Sequence, residues 1–144
     1  MITHTYQFRV MYPDTDQMGT VHHANYVKYY ETARWELFRS IGISYKSVED
    51  AGAMCPVTRM NFHFLKTIHY DDVLTVKTTL TAIKGVRIWF TYQLFNEANE
   101  LINEAETELA FVGRESWKPM APPAFVVTAI QEHQNRIVSP SDLP

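Results

Sequence analysis

Apolar residues along this chain follow two rhythms, one helical and one alternating. Tyr26, Tyr30, Ala33, Leu37 and Ile41 recur at spacings of four and three, which puts them on one face of a helix running from about residue 24 to 41. Lys28, Thr32, Glu36 and Arg39 lie mostly off that stripe. Gly42 follows, where a left-handed C-terminal cap would sit. Upstream, residues 2 to 12 read as a strand, with Phe8, Val10 and Tyr12 in alternation. Downstream, Ser44 to Ala51 predicts a short helix with Ser44 as N-cap and Gly52 as terminator.

From Met54 the period becomes two. Met60, Phe62 and Phe64, with Ile68 as a further candidate, share one face, and Arg59, Asn61 and His63 share the other. A turn at His69-Tyr70-Asp71-Asp72 leads to Leu74, Val76, Thr78, Leu80 and Ala82. The Lys84-Gly85 turn leads to Val86, Ile88, Phe90, Tyr92 and Leu94. Polar residues 96–100 then join a last strand with Leu101, Ala105, Thr107, Leu109 and Phe111 on one side and Glu104, Glu106 and Glu108 on the other. Long neighbours joined by short connections predict an antiparallel meander. Its apolar face needs a cover, and the helix at 24–41 is the only long element available. The class is therefore α+β, in one domain spanning 1–144. From Trp117 the chain carries Pro119, Pro122, Pro123 and Pro140, with Phe125 to His133 as a candidate short helix.

Composition excludes more than it proposes. A chain of 144 residues with 46% hydrophobic and 20% charged positions suits one globular domain. A formal charge of −3 without a basic stripe gives no support to nucleic-acid binding. Cys55 is the only cysteine, so no intrachain disulfide forms, and next to Pro56 it reads as a buried structural thiol. No apolar run approaches the roughly 20 residues of a membrane span, and the first residues lack a secretory pattern. A cytoplasmic protein is expected.

The candidate chemistry lies between the first strand and the long helix. Asp14, Asp16 and Gly19 are consistent with an ordinary polar turn. Alternatively, a carboxylate facing a helix N-terminus stays ionised, and Asp16 is then placed to attack an activated carbonyl or draw a proton from water. His22 and His23 either cap the helix or serve it chemically. In the second case the backbone N–H of His23 is free to point at a developing oxyanion. A metal site gathering Asp14, Asp16, His22 and His23 lacks any regular ligand spacing. Glu31 and Arg34 read as a local ion pair, and the tyrosines at 26, 29 and 30 as packing.

Tyr12-x-Asp14-Thr15-Asp16-x-x-Gly19-x-Val21-x-His23-x-Asn25-Tyr26, followed by Glu31 and Arg34, resembles the signature of hotdog-fold acyl-CoA thioesterases. The nearest likeness is to the 4-hydroxybenzoyl-CoA thioesterase-like group, which includes the Tol-Pal-associated acyl-CoA thioesterases. Tyr70-Asp71-Asp72-x-Leu74 also matches their turn before the third strand. The resemblance covers about residues 5 to 115. It implies a five- or six-stranded antiparallel sheet wrapped around the long helix. It also implies a homodimer or homotetramer with active sites at the subunit interface, an acyl-CoA substrate and no cofactor. Asp16 falls on the catalytic carboxylate, His23 on the helix-start position that polarises the thioester, and Tyr12 on a tyrosine lining the site. Gly19, Val21 and Asn25 belong to the same motif and are expected near substrate.

Some relatives carry a basic run in the hairpin after the third strand to hold CoA phosphates. Here Lys84 is followed by Gly85, Val86 and Arg87. Lys84 and Arg87 are kept as candidate substrate contacts, but phosphate contacts are expected to be fewer than in those relatives or to come from elsewhere, including Arg114 or Lys118. Thr67 stands where a proline is usual before the Tyr-Asp-Asp turn. Two readings stay open beside acyl-CoA hydrolysis: a thioesterase acting on acyl-carrier protein, and a non-catalytic hotdog module that binds acyl-CoA or a partner.

Overall fold

The computed structural model describes residues 1–134; Pro140 and the rest of 135–144 lie outside the described residues. Strand β1 (Ile2–Arg9) leads through a 3-10 turn (Tyr12–Asp14) to helix α1 (Asn25–Ser40) and short helix α2 (Tyr45–Asp50). Strands β2 (Ala53–Met54), β3 (Val57–Phe64), β4 (Val73–Lys84), β5 (Arg87–Phe95), β6 (Leu101–Ala110) and β7 (Val112–Gly113) follow, then helix α3 (Ala124–Gln134). The main sheet has five strands in the order β1-β4-β5-β6-β3, all neighbours antiparallel. β2 and β7 form a separate two-stranded pair.

The helix packs where its stripe predicts. Tyr26, Tyr30, Ala33, Leu37 and Ile41 are all buried, and they meet Leu74, Val76, Leu80, Phe90, Tyr92 and Leu94 from the sheet. Tyr30 lies against Tyr92 with ring centroids 4.7 Å apart, and Phe38 meets Phe90 edge-on at 5.5 Å. Gly42 (φ 85°) turns the chain out of α1, a backbone shape that costs a Cβ-bearing residue energy. Ser44 caps α2 as expected, accepting from the Ser47 amide.

Three sequence expectations are corrected. β1 ends at Arg9 rather than at residue 12, because Pro13 begins a 3-10 turn that swings Tyr12 outward. Ala82 is exposed, not inward, because a register shift between Leu80 and Ala82 reverses the alternation and leaves Ile83 against the core. In β6 the inward position two residues before Ala105 belongs to Asn103, which accepts a 2.5 Å hydrogen bond from the Tyr30 hydroxyl.

The third correction concerns Arg34, which does not pair with Glu31. Four residues after Tyr30, it is turned inward with the stripe and is only 4% exposed. Its Nη1 donates to the Tyr92 hydroxyl at 3.1 Å, and that hydroxyl is 2.8 Å from Thr107 Oγ1. Glu31, on the outer face, is exposed.

Cys55 is partly rather than fully buried, packed against the core, and desolvation pushes its thiol up to about 12. Among the described residues no helix is long and apolar enough to cross a membrane.

Candidate active site at the start of the long helix

The chain between β1 and α1 is a small folded unit rather than a loose loop. Thr15 bridges to Val21, and the Asp16 amide donates to the Thr20 carbonyl at 2.8 Å. Gly19 closes the tip at φ 79°; a Cβ there meets no atom within 4 Å, so backbone shape rather than space favours glycine. Val21 is buried and donates to Ile68 O, while Thr20 bridges to His69. The segment after β3 is thereby joined to the unit.

Asp16 stands at the tip with its carboxylate exposed. Its Oδ2 accepts from the Thr20 hydroxyl at 3.0 Å, and its Oδ1 from the amides of Met18 (2.8 Å) and Thr20 (3.2 Å). The Thr20 hydroxyl and the Met18 amide hold its carboxyl below the ordinary carboxylate range, with a further contribution from His22 nearby. The expectation that first-turn helix amides hold this carboxylate is thus corrected. Its donors come from its own loop, because the tip folds back before the helix begins.

Asp14 has the opposite environment. It is buried, with Lys28 bonded to Oδ1 and the Tyr29 hydroxyl donating to Oδ2 at 2.9 Å. Burial opposes its ionisation, but the Lys28 ammonium and the Tyr29 hydroxyl outweigh it and hold the carboxyl below its usual value. Its carbonyl accepts from the His22 amide (3.1 Å) and from Asn25 Nδ2 (2.8 Å). Asp14 therefore ties the loop to the first turn of α1. Asn25, expected near substrate, spends its side-chain donor on this tie.

A carboxyl whose folded pKa is depressed favours folding fully above its unfolded value of about 3.8, and loses that contribution as pH falls through the lower folded value. Denaturant unfolding between about pH 6 and pH 3 should show stability falling at the acid end. In Asp14→Asn that slope should be shallower, and an unchanged slope would remove Asp14 from the explanation.

Not every donor at the helix start has a partner. The Ala24 amide donates to His22 Nδ1 (3.2 Å), the Asn25 amide to His22 O (2.9 Å) and the Tyr26 amide to His23 O (3.2 Å). The His23 amide has no acceptor among the described residues. The two imidazoles stack at 4.3 Å and both are exposed. Among the described residues no three His, Cys, Asp or Glu side chains gather as a metal set.

Tyr12, Asp16, Gly19, Val21, His23 and Asn25 therefore share one unit, whereas Lys84 and Arg87 do not. Asp72 O accepts from Val10 at this end of β4, and Lys84 is at the other. A twelve-residue strand puts its ends roughly 36 Å apart. Lys84 instead borders a groove of about 650 Å³ on the outer sheet face, with Arg59, Trp89 and Glu108. Arg87 lies 3.7 Å from Glu108. That groove does not include Asp16, whose loop is open at the surface of a single chain. The chemistry is better judged from the loop's donors than from groove size.

Two residues of the unit were not legible as functional. Asp14 shows its role only once Lys28 and Tyr29 are brought beside it. Thr20 carried no signal of its own; the local signal was Asp16, whose carboxylate accepts from the amide two residues on as in an Asx turn.

The pattern described as the thioesterase-like superfamily matches residues 10–130. The chain is 34% identical to the putative acyl-CoA thioesterase YneP of Bacillus subtilis over 114 residues, covering 79% of this chain and 83% of that protein. It is 34% identical to the acyl-CoA thioester hydrolase YbgC of Escherichia coli over 124 residues, covering 86% and 92%. A DHNA-CoA thioesterase from Staphylococcus aureus superposes with a TM-score of 0.85 at 30% identity, covering 94% of this chain and 95% of that one.

Proposed function

The chain belongs to the thioesterase-like superfamily, and from that premise we propose that it hydrolyses acyl-CoA thioesters to a free carboxylic acid and CoA. The observation that carries the reading is the pairing of an ionised, exposed Asp16 with a spare N–H at His23, both fixed to the start of α1. In the general-base route Asp16 takes a proton from water while the water oxygen adds to the thioester carbonyl. In the nucleophilic route its own oxygen adds, and water later cleaves the resulting anhydride. In both, negative charge collects on the carbonyl oxygen, where the His23 amide donates to it. Collapse breaks the C–S bond, and the CoA thiolate leaves and takes up a proton. The His23 side chain and Tyr12 assist in positioning.

A second subunit completes the site in this reading. β3 is an edge strand that leaves Val57 and Phe64 exposed, the latter at 49%, with exposed Leu65 just beyond it. An apolar edge of this kind is normally covered. Antiparallel pairing of β3 with its own copy sets the Val57 end of one strand beside the Phe64 end of the other. Phe64 touches Tyr26 in the first turn of α1, at 5.1 Å between rings. The Val57 end neighbours Leu109, next to which Ala110 pairs with Arg87. A two-fold dimer therefore carries the partner subunit's Lys84 and Arg87 toward the Asp16 end, across the distance that separates them within one chain. The enzyme is assigned to the cytoplasm, where its lone thiol needs no oxidising partner.

Replacing both Lys84 and Arg87 by Ala should raise KM for a CoA thioester about tenfold, the loss of one or two exposed phosphate contacts. KM for the same acyl group on a short thiol lacking phosphates should not change, and an equal rise on both would argue against phosphate binding. The test of the function is free-thiol release from matched acyl-CoA and acyl-carrier-protein substrates. Higher kcat/KM on the CoA ester is expected, and the reverse order would assign the site to carrier protein.

A further inference from the structure

We infer that Tyr70 is a specificity-determining residue, forming with Tyr12 an aromatic wall at the rim of the loop that carries Asp16, which holds an acyl group bearing a ring. The inference rests on the hydrolase reading above and adds the class of acyl group. The two rings meet edge-to-face with centroids 5.6 Å apart, and they are 74% (Tyr12) and 52% (Tyr70) exposed. Met11 and Met18 are exposed on the same segment. Large apolar side chains concentrated at the rim of a site, rather than scattered over a surface, mark a place where something apolar is received.

The turn that carries Tyr70 is built with unusual care. Asp71 is held at φ 72°, a shape seldom adopted by residues with a Cβ. Its amide donates to Val10 O (3.1 Å), the Val10 amide to Asp72 O (2.9 Å), and the His69 amide to Asp72 Oδ2 (2.8 Å). Arg9 Nη1 donates to Asp71 O at 2.8 Å and lies 3.3 Å from its carboxylate. Across to the Asp16 loop, Thr20 bridges to His69 and the Tyr70 amide reaches Gly19 O at 3.4 Å. None of these bonds uses the Tyr70 side chain. The turn does not need the ring, yet it fixes the Tyr70 backbone against the Asp16 loop, and the ring itself rests on Tyr12. A flat π-face prefers another ring in stacked or edge geometry over an aliphatic chain of equal area.

The test compares kcat and KM on benzoyl-CoA and hexanoyl-CoA for wild type, Tyr70→Phe, Tyr70→Leu and Tyr70→Ala, with the oligomeric state of each measured in parallel. Tyr70→Leu and Tyr70→Ala should raise KM for benzoyl-CoA about three- to tenfold, the size of an aromatic pair contact, with kcat little changed. Their KM for hexanoyl-CoA should stay within about twofold, and Tyr70→Phe should behave as wild type on both, since its ring is kept. Equal losses on the two substrates, no loss on either, or a loss that follows a change of oligomeric state would overturn the inference. A wild type that cleaves hexanoyl-CoA but not benzoyl-CoA overturns the aromatic preference alone. A wild type that releases thiol from no CoA thioester overturns the hydrolase reading, and this inference with it.

Discussion

Asp16→Asn is expected to fold as the wild type does and to release thiol from acyl-CoA at least a hundredfold more slowly, as removal of a positioned base or nucleophile does. The substitution keeps the size of the side chain and one oxygen. That oxygen can still accept from the Met18 and Thr20 amides that hold the loop. It removes the negative charge that both chemical routes require. Because the group is exposed and bonded only within its own loop, melting should shift little. The loss should appear in kcat rather than in KM, since the proposed site leaves the acyl group and the nucleotide to other residues. An Asp16→Asn protein that keeps near-normal rates on every substrate of the wild type would move the chemistry to another residue.

Asp14→Ala is the opposite case, a loss of structure that carries activity with it. The buried carboxylate accepts from the Tyr29 hydroxyl and pairs with Lys28, and removal leaves the hydroxyl buried without its acceptor. Lys28 is 56% exposed on its side chain, so its share is screened by solvent. The remaining cost is about 2–3 kcal/mol, a charged hydrogen bond plus a stranded donor. For a domain of this size the melting temperature should fall by roughly 5–10 °C. Turnover should also fall, because the Asp14 carboxylate holds the loop against Lys28 and Tyr29 of α1, next to the turn that presents the His23 amide. Asp14→Asn, which can still accept from Tyr29, should recover part of both. A stable Asp14→Ala with full activity would show that the tie through the Asp14 carbonyl is sufficient.

How much of this was legible in the sequence follows from the range of the forces involved. α1, its inward stripe and the meander β4-β5-β6 follow from local periodicity, since each burial choice repeats every few residues. The reversal at Ala82 was hidden because a bulge is set by the pairing of two strands, and neither strand's own pattern states it. Arg34 was misread for a related reason. A partner three residues away is visible in sequence, whereas Tyr92, 58 residues along the chain, becomes a neighbour only when helix and sheet meet.

At the site, the motif around Asp16 could be read directly because its residues lie within one short segment. Which aspartate is buried and which is free could not, since Asp14 and Asp16 are alike until Lys28 and Tyr29 come down over one of them. Lys84 and Arg87 show the same limit at a larger scale. Their distance from Asp16 within one chain is a property of the sheet, and the proposed dimer that would close it is a property of two chains.

The most direct measurement follows wild-type protein with a many-fold excess of acyl-CoA, quantifying free CoA thiol and free carboxylic acid together over time. The account predicts many turnovers per chain, with one acid formed for each thiol and a rate that saturates with substrate. Saturable binding of acyl-CoA that is recovered intact, with thiol at the level of the protein-free control, would contradict it.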